Sequence, residues 1–431
     1  MLEVFIISAI LILAIFTAWP RAGLYILALS LPLIGIELNF YNLNIPIVDL
    51  VALTLLLGFF INSSLNLLAG KKTKKLSWPF LIPFAVFLLI SFLSVLLSDN
   101  FYQSLYYFLR WPLFLYLAYL FVPANIIRNP KILKTTVILV FISSMIVLFS
   151  GYLSLLGQDI YDSFFRLEGL SIYGLYPFGK NHNLIAEFLN IGVFLTLIIR
   201  EFLKNKKQKS LMDILFIFSS IGIILTFSRA AWITLLLQII IYLAFKAFYQ
   251  KKERLPIILF SFLFLIIISP LFIRMERLQD ANIGSTESRI LLNNVALEAF
   301  TKKPFFGYGS GEFMNLVDRN IRFKAQHGEA IDAHGVFPKI LAENGLFGII
   351  AWLFILAYLF KISLLALKRY YPKISWILPL CLAVWGGLFF QLFNTSYFKG
   401  KVWLPILLLF LAIKFLDERY VKKNKNSTPI T

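Results

Sequence analysis

Apolar runs of spanning length punctuate this chain from end to end, with short polar gaps between them. They lie at roughly 2–19, 22–37, 45–62, 78–97, 108–126, 135–156 and 184–199, then 211–227, 230–248, 255–273, 345–365, 374–394 and 402–417. Most run long enough to cross a bilayer as a helix. The second run is short and the first two need not both span, so the pattern predicts about twelve or thirteen transmembrane helices. The fold class is therefore all-α, a polytopic helical bundle. One polar interval is far longer than the rest, residues 274–344. The N-terminal run has no basic leader and no small-residue cleavage site, and is read as a retained helix.

Composition sharpens this picture. Of 431 residues 59% are hydrophobic and only 15% charged, more apolar surface than a soluble fold of this length can hide. A disordered chain, a secreted disulfide scaffold and a cytosolic enzyme are all excluded. The single cysteine, Cys381, forbids an intrachain disulfide and a cysteine-based metal site.

The formal net charge is +19, but its distribution argues against nucleic acid as a partner. The excess sits in short clusters between apolar runs: Lys71 to Lys75, Arg128 to Lys134, Arg200 to Lys209, Lys251 to Arg254, Lys368 with Arg369, and Arg419 to Lys425. Basic clusters of this kind orient helices with those loops in the cytoplasm. The loops alternate from residue 63 onwards, leaving 98–107, 157–183, the turn at 228–229, 274–344 and 395–401 outside. The domain organisation expected is 1–170 N-terminal helices, 171–273 helices around that turn, 274–344 an extracytoplasmic catalytic loop, 345–417 C-terminal helices and 418–431 a cytoplasmic tail. Acidic and basic residues are nearly balanced in 274–344, and a mixed-charge loop of that length is more often functional than a connector. All three histidines, His182, His327 and His334, fall on the outward side.

Several residues can carry chemistry there. Arg229 stands between two apolar runs with almost no loop to hold it. Boundary arginines often snorkel, but this one lies on the side that topology does not favour for basic residues, which points to function. Arg289 opens a stretch that reads as a helix with a broad apolar stripe lying along the membrane surface. Asn293, four residues on, shares its face. A solvated charge paired with Glu287 or a loop carboxylate is the equal alternative. The glycine-rich segment 303–311 reads as a turn, although such backbone can also cradle an anion.

His334, beside Asp332, precedes the chain's return to the membrane, and an imidazole suits proton transfer near neutral pH. Taken alone it reads first as a satisfied interfacial histidine. His182 between two asparagines reads as part of a helix cap. No paired-aspartate platform for a catalytic divalent cation occurs, nor a Walker-type phosphate loop. A phosphate handled here falls to arginines, whose planar forks suit it.

At these residues the chain resembles the O-antigen ligase and O-antigen polymerase family of bacterial membrane glycosyltransferases. The resemblance rests on residues 226–230 around Ser228 and Arg229, on Arg289 with Ala299, Pro304, Gly307 and Gly309, and on Asp332-Ala333-His334 followed by 341–348, which include Glu343. Residues 178–187, with His182 and Asn183, also fit, and the likeness spans roughly 175–365. It implies a polyprenyl (undecaprenyl) diphosphate-linked glycan donor, with no metal or nucleotide cofactor. It also implies two arginines on the diphosphate, matching Arg229 and Arg289, and a histidine near the acceptor hydroxyl, matching His334. Supporting positions are His182, Asn293, Asp332 and Glu343. Gly335 departs from the asparagine that many relatives carry.

The resemblance also implies a glycolipid or glycan acceptor, a place in the bacterial inner membrane and an extracytoplasmic site. The expected activity is ligase-like, inverting transfer to a lipid core or other envelope acceptor. The alternatives are a polymerase joining lipid-linked repeats and, outside the family, a lipid-linked glycan transporter. A transporter predicts mid-membrane ionisable residues and repeat symmetry, whereas here the polar residues concentrate in one outward loop.

Overall fold

The computed structural model describes residues 2–40, 43–71, 75–158, 165–250, 284–394 and 400–426. The run expected at 255–273, the start of the 274–344 loop and most of the 395–401 loop lie outside them. The chain is a multi-pass helical bundle. Among the described residues seven helices are long and apolar enough to cross a membrane, or eight if one bent pair counts as a span.

That bent pair replaces the first two predicted spans. Helices α1 (Leu2–Ala18) and α2 (Pro20–Ser30) meet at 119°. Pro20 lacks an N–H and drives Trp19 out of helical geometry (φ −129°, ψ 73°), so the helix cannot run through. The rest of the second run is not helical either. An antiparallel hairpin of β1 (Glu37–Phe40) and β2 (Leu43–Pro46) pairs Glu37 with Pro46 and Leu38 with Ile45. Apolar and polar residues alternate there, a period that suits a strand.

Helices α3 (Ile47–Leu68), α4 (Leu81–Leu96) and α5 (Phe101–Ile126) follow. The interval 98–107, expected as a loop, is mostly the beginning of α5. Pro112 cannot donate to the ladder, and the helix widens there into a π-turn at Leu109–Leu113, with another at Tyr116–Phe121. Next come α6 (Pro130–Ser154), α7 (His182–Phe202), α8 (Lys206–Leu225) and α9 (Arg229–Gln250). In α7, which packs against α6, α8 and α14, 83% of the spanning window is buried, against 22% in α8. Helix α7 is the axle of the bundle, and α8 turns its side chains to lipid.

The long polar interval folds as α10 (Gly284–Lys302), α11 (Phe313–Asp318) and α12 (Ile321–His327). The apolar stripe of α10 is covered by protein rather than by membrane. Leu292, Val295, Ala296 and Ala299 form a small core of their own with Phe313, Val317, Phe323 and Ala342.

Helices α13 (Val336–Tyr370), α14 (Ile377–Asn394) and α15 (Gly400–Asn426) complete the chain. The expected series of spans maps onto these elements, with α4 and α14 short and 255–273 outside the described residues. Helix α13 starts earlier than the predicted re-entry at 345 but breaks at that residue, where Gly345 takes φ 63° and ψ −157°. A Cβ there would lie 2.5 Å from the Phe305 carbonyl oxygen. Residues 303–311 dock on the break. The N–H groups of Leu346 and Phe347 donate to the carbonyls of Pro304 and Phe305 at 2.8 and 3.2 Å. In return Tyr308 and Gly309 donate to Ala342 and Glu343 at 2.9 and 3.0 Å. The glycine-rich segment is therefore a clamp, and those two N–H groups are not available to an anion.

Candidate active site

One end of the bundle gathers the chemistry. The start of α15 meets the start of α7, the start of α13 meets the end of α14, and the chain after α6 meets the end of α8.

Arg229 is placed by a very tight reversal. After α8 ends, the Thr226 hydroxyl donates to the Ile223 carbonyl at 2.6 Å, and Phe227 takes a positive φ of 53°. Arg229 then opens α9, half-buried. Two residues of one helical turn hold the corner: Ser228 accepts from the Trp232 backbone, and the Trp232 indole N–H donates to the Ile224 carbonyl at 2.9 Å. Arg289 comes to the same place from α10, also half-buried. Burial, and after it the positive charge of Arg229, lower the pKa of its guanidinium below the ordinary arginine value.

A third arginine joins them that the sequence did not point to. Gln158 brackets the Arg166 backbone, accepting from its N–H at 3.0 Å and donating to its carbonyl at 2.8 Å. Leu167, beside it, is fully buried and donates to the Leu225 carbonyl at 2.8 Å. Arg166 is ion-paired with Glu168 at 3.7 Å. His182, at the first turn of α7, lies in the field of both Arg166 and Arg289, with the Asn181 side chain capping that turn through the Asn183 N–H at 2.8 Å. Arg166, Arg229 and Arg289 are thus a cationic cluster beside His182, built from four segments. Asn293 is exposed one turn beyond Arg289.

His334 is half-buried, directly before the turn into α13. Its neighbour Gly335 has φ 120°, and a Cβ there would approach the Leu392 carbonyl oxygen to 2.5 Å. The departure from asparagine therefore has a backbone reason: only glycine lets the histidine loop lie so close to α14. Asp332 is bound on both oxygens by the Lys339 ammonium, at 2.7 and 2.6 Å. That lysine is itself 4% exposed, 3.8 Å from Glu343, and 5.1 Å from the centre of the Tyr107 ring. Glu343 is buried and accepts from the Phe313 N–H at 3.4 Å. His327 lies at the end of α12, its ring 5.0 Å from that of Phe323.

A cleft of about 750 Å³ opens between the hairpin, α5 and the starts of α13 and α15. Asp332 and Lys339 face it from the histidine loop, Gln103, Tyr107 and Arg110 from α5, and Lys401 from α15. Lys401 and Glu187 form a fully buried ion pair beneath it, and Gln391 donates to Glu187 at 3.3 Å. Among the described residues no group of three His, Cys, Asp or Glu is arranged to hold a metal ion.

The sequence match falls on this site. Residues 214–353 match the family model described as O-antigen ligase. The chain is thus similar over this stretch to the O-antigen ligase family. A ComP-specific O-oligosaccharyltransferase from Acinetobacter baylyi (strain ATCC 33305 / BD413 / ADP1) is 28% identical over 191 residues, 42% of this chain and 34% of that relative. The matched part thus spans about a third of the relative's length. Arg229, Arg289, His334 and Glu343 lie inside the O-antigen ligase stretch, whereas Arg166, His182 and the α5 wall of the cleft lie outside it. Lys339, Lys401 and Arg166 went unremarked in the sequence. The two lysines do leave a trace, each a lone cation in the first turns of its helix.

Proposed function

We propose that this protein is a membrane glycosyltransferase that moves a glycan from a polyprenyl diphosphate to an acceptor hydroxyl, in the manner of an O-antigen ligase. The observation that carries the reading is the pair Arg229 and Arg289, two half-buried guanidinium groups from different helices, each in the other's field. Like charges held together at a membrane boundary are costly unless an anion lies between them, and a diphosphate supplies one. Arg166 and His182 border the same space.

In the reaction the acceptor oxygen bonds to the anomeric carbon as the bond to the diphosphate oxygen breaks. The electron pair leaves with the diphosphate, whose growing charge the arginines stabilise where water screens poorly. His334 takes the acceptor proton, and the single displacement inverts the anomeric centre. The cleft on the Asp332 side of the histidine loop receives the acceptor. A lipid core or other envelope glycan is the first acceptor class. The likeness to an O-oligosaccharyltransferase adds a protein hydroxyl as the second.

The test is transfer by purified protein carrying Arg229→Lys or Arg289→Lys. Lysine keeps the charge and loses the fork. Removing one bidentate, charge-assisted interaction is expected to slow transfer about 10–100-fold, with normal insertion. Unchanged transfer in both variants overturns the role of the pair. Deletion of the gene separates the family's activities: accumulated lipid-linked polymer indicates a ligase, and glycans capped at one repeat indicate a polymerase.

On this reading the site faces the extracytoplasmic side of the inner membrane, and the basic clusters at the opposite end of the bundle support that orientation. In a Cys381→Ala background, Glu329→Cys is expected to react with an impermeant thiol reagent in intact cells, and Lys373→Cys only after lysis. The reverse pattern inverts the topology and removes the site from its donor.

A further inference from the structure

At the end of the bundle away from the arginine cluster, where α6 begins and α7 and α15 end, a second cavity of about 210 Å³ opens between helices. Its walls are apolar: Leu133 and Val137 of α6, Ile198 of α7, Leu380 of α14 and Phe415 of α15. The mouth is not. Lys134 and Arg419 stand there, and neither has a carboxylate partner among the described residues. Of the acids near them, Asp417 is engaged by Arg369 at 2.7 Å and Glu201 by Arg200 at 3.3 Å, and Glu418, beside Arg419, makes no ion pair with either cation among the described residues. The Lys134 ammonium sits 4.8 Å from the centre of the Phe202 ring, and Trp376 lines the same cavity. Aromatic rings beside cations at a helix end are the side chains of a membrane–water interface.

We propose that this cavity binds an anionic phospholipid, with an acyl chain in the apolar crevice and the phosphate held between Lys134 and Arg419. The three elements of such a ligand each have a counterpart. A crevice among membrane helices offers the chain apolar walls, the two cations at the mouth meet the phosphate, and Trp376 meets the ester region. The start of α6 adds the positive end of its helix dipole to the same mouth. Basic crevices between helices on the basic side of a membrane protein recognise anionic headgroups by this combination. The inference concerns a place remote from the transfer site and does not depend on what that site does.

The experiment is lipid retention by native mass spectrometry. The purified full chain is equilibrated with equimolar phosphatidylglycerol and phosphatidylcholine of the same acyl length. The wild type is expected to retain phosphatidylglycerol preferentially. Each of Lys134→Gln and Arg419→Gln is expected to lower that preference about five-fold, the effect of taking one cation away from the headgroup. Lys131→Gln removes an exposed charge one turn away and is expected to leave the preference intact. Equal loss with Lys131→Gln, or none with the other two, means bulk attraction and overturns the site. Displacement by inorganic phosphate at millimolar concentration overturns the acyl-chain part. Displacement by polyprenyl phosphate in preference to phosphatidylglycerol makes this a carrier-lipid site and likewise overturns the proposal.

Discussion

His334→Ala is expected to bind lipid-linked donor normally and to transfer its glycan about 10²–10⁴-fold more slowly, the usual range for removing a general base. The separation of the two effects follows from the geometry. The cationic cluster is assembled from Arg166, Arg229 and Arg289 beside His182, and α10 meets the histidine loop through Ala333 rather than through the imidazole. On the proposed reading, truncating His334 leaves the arginines on their helices and removes the proton acceptor. Transfer by purified protein, alongside a separate measurement of donor binding, checks both halves. His327→Ala serves as the control, since that ring packs on Phe323 at the far end of α12. Transfer by His334→Ala at the wild-type rate shows that the proton goes elsewhere.

Lys339→Met is expected to lower stability by about 3 kcal/mol, at the lower end of the range for breaking a buried ion pair. The lysine side chain is 4% exposed and sits between Asp332 and Glu343, whose side chains are 38% and 1% exposed. Without it, Glu343 loses its nearest compensating charge in a place water does not reach. Asp332, partly open to the cleft, recovers some hydration, which is why the lower figure applies. Thermal unfolding in detergent measures the loss. The double variant Lys339→Met, Glu343→Gln is expected to regain a good part of it, because the amide needs no counter-charge. A single variant as stable as wild type refutes the account of Lys339 as the charge that Asp332 and Glu343 share.

The helices were legible in the sequence for a simple reason. A spanning run repeats one message over many residues, so α3, α7 and α9 appear within a few residues of where they were expected. The failures are local. The hairpin at 37–46 was hidden because apolar residues continue past α2, and only Pro20, Pro32 and the alternation betray the change.

The candidate site was half legible. Arg229 stood out because a charge interrupts an apolar tract. Arg166 did not, being one basic residue in a loop without periodicity, and only the Gln158 bracket and the hydrogen bond from Leu167 to the end of α8 bring it to the cluster. Asp332 and Glu343 are supporting positions in the sequence reading, and Lys339 ties them together, a relation that spacing along the chain does not reveal. Asn293, expected on Arg289's face, stays exposed.

The ion pair between Glu187 and Lys401 joins the axle helix to the last helix of the bundle. Synthesis proceeds from the N-terminus, so α7 reaches the bilayer carrying Glu187 and Asn190 long before its cation exists. Until α15 arrives, that segment is an incompletely hydrophobic guest in lipid, sheltered only by the neighbours already made. This part of the bundle is therefore completed only when α15 is in place. A chain interrupted before residue 400 leaves the Glu187 carboxyl group near the start of α7 without its ammonium, the sort of defect by which membrane quality control tells unfinished proteins from finished ones.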